Sequence, residues 1–160
     1  MTWAHLHLAL NHVPVVGLPL LLVLLAWGLA RRSPEVTRAS FALLVLLALI
    51  TIVVQLTGES AEELVEDLPG VLESVVERHE DAALWGTIGM AALGVLSFIG
   101  LWQLRAGRAG VPWYSSAVFV VGLAVAALMG WIANLGGQIR HTEIAPQPTG
   151  VERTAPAEDD

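Results

Sequence analysis

The chain has no cysteine and no lysine, a single tyrosine, and charged residues at only 14% of its 160 positions. Without cysteine there is no disulfide, no thiolate metal site and no thiol nucleophile, and redox usage says nothing about compartment. The scarcity of charge is the stronger constraint. A soluble domain carries charge on roughly a quarter of its residues, whereas this chain is 55% hydrophobic with a mean hydropathy of +0.66. That balance belongs to an integral membrane protein. Positive charge is especially sparse, eight arginines against fifteen acids for a net −7, which argues against a nucleic-acid partner because neutralising phosphates takes a basic patch. No glycine-rich phosphate loop follows a strand and no Ser, His and Asp arrangement stands out, so hydrolase and nucleotide-binding readings have no support and enzymatic activity is not indicated.

What the chain does contain is four long apolar runs, at about 8–29, 39–56, 82–104 and 113–135. A span of a roughly 30 Å hydrocarbon core needs about 20 apolar residues, and the second run sits near the lower limit. The first lacks the basic start and small-residue cleavage site of a leader, with Arg31 and Arg32 after it instead of before, so it reads as a retained span. Pro14 and Pro19 each remove a backbone donor from its first half, and the freed carbonyls need partners at that depth. Ser33 and Pro34 form a credible N-cap and first position for the second helix. The expected fold is all-α: an integral membrane four-helix bundle over 1–141, with a short acidic helical cap at 57–81 between spans two and three. A Pro-containing acidic tail follows at 142–160, without apolar periodicity.

Segment 57–81 holds nine acidic residues and one arginine, a formal −8 in a chain whose total is −7. The arginines decide which way it faces. Arg31, Arg32 and Arg38 lie between spans one and two, and Arg105 and Arg108 between three and four. By the positive-inside rule both loops are cytoplasmic, so both termini and the acidic segment face outward, in a bacterial inner membrane periplasmically. Tryptophan placement agrees, with Trp27, Trp102 and Trp113 at the inner ends and Trp3, Trp85 and Trp131 at or near the outer ends. On this topology His5, His7, His12, His79 and His141, all the histidines of the chain, come out on the outer face beside the acids.

His12, inside the first apolar run and two residues before Pro14, is the expected inward ligand of that segment. The bland alternative is a hydrogen bond to a carbonyl loosened by the proline. His5 shares its stripe two turns away, while His7 and Asn11 share a different one. Pro69 and Gly70 divide the acidic segment into two short helices, with Ser60 to Glu63 matching the S-x-x-E capping box. In the second of them Leu72, Val75, Val76, His79 and Ala83 form an apolar face that turns His79 toward the bundle, and Glu73, Glu77 and Glu80 take the other side. Glu62, Glu63, Glu66, His79 and Glu80 are of the ligand types used in carboxylate and histidine metal sites, although the Glu-x-x-His spacing of di-iron bundles is missed by one residue. A run of acids is equally well a solvated face. Gly122, Ala126 and Gly130 form a small-residue stripe for close packing on span four. Asn134, Gln138 and His141 make a polar stripe if that helix continues through Gly136 and Gly137; if it stops, the glycines cap it and Arg140 folds toward the acids.

His5, His7 and the run Asn11-His12-Val13-Pro14-Val15-Val16-Gly17, with Thr57-Gly58-Glu59-Ser60-Ala61-Glu62-Glu63, Leu68-Pro69-Gly70, Glu77-Arg78-His79-Glu80 and Gly136-Gly137-Gln138-Ile139-Arg140-His141, resemble a group of small four-span bacterial membrane proteins of unassigned function. The first-span His-x-Pro pattern is similar to that of wider histidine-bearing membrane families suspected of binding haem. The resemblance runs from His5 to about Ile144 and implies a four-helix membrane fold whose outer-face residues belong together.

Three functional classes follow. In the first, His12, His79 and His141 hold a b-type haem, or His5, His7, His12, His79 and His141 with Glu62, Glu63, Glu66 or Glu80 hold a divalent metal ion such as iron, zinc or manganese, in a redox or electron-transfer role. In the second, the chain is an accessory membrane subunit whose acidic cap docks a partner protein. The third, an ion or proton-coupled carrier, ranks last because no charged residue lies near the middle of a span. The partners expected are the lipid bilayer and a periplasmic or membrane redox partner, with a homo-oligomer left open. The orientation is tested by reporter fusions at Arg32 and Gly107: activity of a cytoplasmic reporter at both is expected, and a periplasmic signal at either overturns it.

Overall fold

The computed structural model describes residues 2–65, 71–105, 112–141 and 144. Among these, every element is a helix: α1 (Trp3–Leu10), α2 (His12–Ala30), α3 (Pro34–Leu56), α4 (Gly58–Glu62), α5 (Glu73–Arg105) and α6 (Pro112–Arg140). Four segments are long and apolar enough to cross a membrane, Trp3–Ala30, Pro34–Leu56, Glu73–Arg105 and Trp113–Arg140. The four-span expectation therefore stands, with longer helices than the apolar runs alone marked. The break expected at Pro69 and Gly70, together with Glu66 and Arg108, lies outside the described residues, as does the tail at 142–160 apart from Ile144.

The local reasons for these elements are mostly visible. Thr2 caps α1 by accepting from the His5 amide. At Asn11 the chain makes a one-residue break, after which Pro14 has no N–H for the Leu10 carbonyl and Pro19 none for that of Val15. Ser33 caps α3 by accepting from the Val36 amide, with Pro34 at the first helical position, as its sequence anticipates. The capping box at Ser60 and Glu63 does not form. The Thr57 hydroxyl donates back to Val53 and Val54 instead, α3 passes almost directly into α4, and Ser60 falls inside the short helix. The cap also lacks a separate second helix, because α5 runs unbroken from Glu73 into its membrane span.

Each long helix packs on two neighbours, and the ring α2, α3, α5, α6 is closed by α6 on α2. Buried positions recur every seven residues: Leu18 and Leu25; Thr37, Leu44 and Thr51; Gly86, Leu93 and Gly100; Val118, Val125 and Ile132. That repeat keeps one seam of each helix turned inward, the pattern of bundle packing. All six tryptophans are exposed on the outside of the ring, and Arg31 sits over the Trp27 ring at 5.2 Å, as residues of an interfacial belt do.

In lipid, where apolar side chains gain little by leaving their solvent, helices associate by close packing, and small residues let them approach. Here α5 supplies them. A β-carbon on Gly94 would lie 2.6 Å from Ala48 Cβ, one on Gly100 2.5 Å from the Phe41 ring, and one on Gly86 would collide with Ile132. The stripe expected on α6 is only half used: Gly122 packs on Leu22, whereas Gly130 has nothing within 4 Å. Two steps of four residues rotate a helix about 80° off its starting face, which carries Gly130 out of the seam. Gly94→Val is expected to cost about 1–3 kcal/mol or more of bundle stability, measured by unfolding in mixed micelles. Gly130→Ala is expected to be neutral or to gain up to about 1 kcal/mol from the lower entropy cost of alanine in a helix.

Candidate functional site at the acidic end

Two imidazoles turn inward at the acidic end, and they come from different helices. His7 is half-buried on α1, and its Nδ1 lies 3.0 Å from the Val54 carbonyl and 3.4 Å from the Thr57 hydroxyl. The Val54 carbonyl lies in the last turn of α3, where it accepts from the Thr57 amide and hydroxyl and, with no further turn of α3 to cover it, from the ring as well. Gly58 lies beside it, 3.8 Å from Cε1 at its β-position. His79 is half-buried on α5, with Nδ1 3.2 Å from the Ile132 carbonyl of α6. Its ring rests on Gly136, where a β-carbon would come within 3.0 Å of Cε1. The Gly136–Gly137 pair is therefore not a helix cap: α6 continues to Arg140, and Gly136 is the flat spot that admits the imidazole.

A carbonyl oxygen only accepts, so in each ring Nδ1 is the protonated nitrogen and donates. The neutral tautomer this selects leaves the Nε2 lone pair available as acceptor or ligand. His79 is flanked by Glu77, Arg78, Glu80 and Asp81 and precedes the apolar stretch beginning at Ala82, so it lies outside the hydrocarbon segment. Burial holds its pKa below the usual 6.5; the hydrogen bond to Ile132 opposes this, and the neighbouring His7 charge adds to it. A little further along the bundle, the Thr87 hydroxyl donates to the Gln55 side-chain oxygen at 2.9 Å, a polar contact between α5 and α3.

The other candidates are not gathered here. His12, expected to point inward, is exposed and bonds the side chain of its neighbour Asn11. The reason is one residue of phase: Ala4, His7, Asn11, Pro14 and Leu18 occupy the inward stripe of the first segment, and position 12 is turned about 100° from it. His5 is exposed and bonds Thr2 at 2.6 Å, a capping role. Glu63, Glu80 and His141 are exposed, Glu62 is half-buried, and Glu66 is outside the described residues. Among the described residues no group of three or more His, Asp or Glu side chains is placed to hold a metal ion. The polar stripe on α6 does form, with Gln138 donating to Asn134 at 2.7 Å. Gln55 and Thr87 carry no motif and were not anticipated, and Gly136, part of the run 136–141, was expected as a cap if the helix stopped there and not as a seat for His79.

A family model described as a predicted membrane protein, DUF2231, matches residues 4–143. The chain belongs to that family. No curated protein matches it significantly, and neither does any solved structure. The match covers all six helices except Trp3, the first residue of α1, and contains both inward histidines, so the DUF2231 unit is the whole bundle with its acidic end.

Because the folded His79 resists protonation, the unfolded chain takes up its proton first as pH falls. Stability is therefore complete above about pH 6.5 and declines as pH drops toward the lowered folded value. His79→Gln is expected to flatten that decline in thermal unfolding followed from pH 7.5 to 5. Gly136→Val is expected to displace the ring and cost about 1–3 kcal/mol, through the lost hydrogen bond and the crowding.

Proposed function

We propose that this DUF2231 protein binds a b-type haem at the acidic end of its bundle, with His7 and His79 as the two axial ligands, and serves electron transfer at the outer face of a bacterial inner membrane. The observation that carries this reading is the matched pair of imidazoles on different helices, each with Nδ1 committed to a main-chain carbonyl. Such a bond fixes the orientation and basicity of a ligating histidine. Haem iron asks the protein for two axial ligands, whereas a structural or hard-metal ion takes three or more. Among the described residues no group of three or more His, Asp or Glu side chains is placed to hold an ion, and two inward imidazoles match the first demand better than the second. When bound, the haem would supply one-electron chemistry. His7 and His79 would hold it, and the α5 and α6 surfaces at Gly136 would set the ring orientation of His79.

The outward stripe of Glu73, Glu77, Glu80 and Asp81, all exposed on the α5 overhang, favours a second reading: an accessory subunit that docks a basic periplasmic or membrane partner. The two are compatible, since an electron carrier needs a docking face.

The test is a visible spectrum with metal analysis on protein purified in detergent and titrated with haemin. A Soret band with low-spin features is expected, lost in His7→Ala and in His79→Ala and kept in His12→Ala. Stoichiometric iron or zinc without a Soret band would replace haem by an ion. Neither signal would leave the accessory reading.

A further inference from the structure

An apolar groove of about 210 Å³ opens between α2 and α3. Gly17, Leu20 and Leu21 form one wall, Leu43, Leu46 and Ile50 the other, and no polar side chain lines it. Its origin is the missing side chain at Gly17, which lets α2 come close to Leu47: a β-carbon there would lie 3.1 Å from Leu47 Cδ1. Leu20 and Leu46 stand exposed at the rim. Both helices belong to segments long and apolar enough to cross a membrane, so the groove opens to hydrocarbon. An apolar hollow of this kind holds no water and takes an apolar guest.

The α2 wall and its charges indicate which guest. A helix returns to within about 20° of the same face every seven residues. Leu24 and then Arg31 therefore follow Gly17, and Trp27 follows Leu20, along the groove side of α2 toward the arginine end. Arg31 is held over the exposed Trp27 ring at 5.2 Å. It is ten residues beyond Leu21, about 15 Å along the axis, which is half of a roughly 30 Å hydrocarbon core and hence the reach of one phospholipid chain. The turn there carries Arg31, Arg32 and Arg38 against one acid, Glu35, and arginines at a membrane surface attract anionic headgroups. At the other end the exposed Glu73, Glu77, Glu80 and Asp81 repel them.

We propose that the groove is a binding site for an anionic phospholipid of the arginine-side leaflet, whose phosphate pairs with Arg31 and Arg32 and whose acyl chain runs over Trp27 and Leu24 to end against Gly17 and Leu47. The chain fills the notch that Gly17 leaves between α2 and α3, and the headgroup fixes which leaflet supplies it. This inference is independent of any cofactor at the acidic end.

The test is lipid retention. The protein is reconstituted into vesicles of equal phosphatidylglycerol and phosphatidylethanolamine, extracted in mild detergent, and its co-purified phospholipid is identified by mass spectrometry. A stoichiometric complement of phosphatidylglycerol is expected to stay with the chain. Arg31→Gln combined with Arg32→Gln is expected to lower it at least about fivefold, the worth of one arginine at an anionic surface. Leu46→Trp, which fills the groove without altering charge, is expected to lower it as well, and Leu20→Trp on the facing wall takes its place should that variant fail to fold. No retained lipid, equal retention of the two lipids, or retention unchanged by filling the groove overturns the proposal. So does a dimer in light scattering that Leu46→Trp dissociates while bound lipid stays the same, since the groove then holds a second copy of the chain.

Discussion

Between Gly94 on α5 and Ala48 on α3 there is no room for a further carbon, and that close approach organises the bundle. In hydrocarbon a leucine gains little by moving from lipid to protein, so helices must associate through shape. The glycines of α5 face two neighbours, Gly94 and Gly100 toward α3 and Gly86 toward α6, which makes α5 the helix against which the others are set. With that register in place, the inward seam of every helix follows from its seven-residue repeat, and the extension of α5 beyond the apolar stretch brings His79 against the end of α6.

Each of the two inward histidines is held where a helix end or a glycine leaves the backbone open. His7 reaches the carbonyl of Val54 because α3 is ending there, and His79 reaches that of Ile132 because Gly136 presents no side chain. In both, a main-chain carbonyl of a neighbouring helix fixes the imidazole through Nδ1 and leaves Nε2 without that proton. The paired geometry is what distinguishes these two histidines from His5 and His12, whose bonds are to adjacent side chains and serve local structure.

Much of this was legible in the residues, and the failures have identifiable causes. The inward turn of His79 followed from its place among Val75, Val76 and Ala83, because an amphipathic face is a local property of a helix. The expected inward turn of His12 was not met because depth in the apolar run was weighed above helical phase: continuing the stripe of His7 and Asn11 through Pro14 to Leu18 and Leu25 puts His7, not His12, on the inward side. The Ser60 capping box failed because α4 begins already at Gly58, with only Thr57 between it and the end of α3, so a motif for starting a helix fell inside one. The seat at Gly136 had no local signal, since glycine in a helix looks the same whether it packs, caps or makes room for a ring.

Composition and periodicity by themselves determined that this is an all-helical chain with four apolar segments able to span a membrane, its acids gathered between the second and third and its arginines at the other turns. Those are properties of single segments, dictated by hydrocarbon thickness and by the energetic cost of placing charge in it. The tertiary structure alone decided which histidines turn inward and which glycines carry the packing. Each of those depends on the rotation of one helix against another, and a rotation of one residue, about 100°, is enough to turn a side chain from the seam to the lipid.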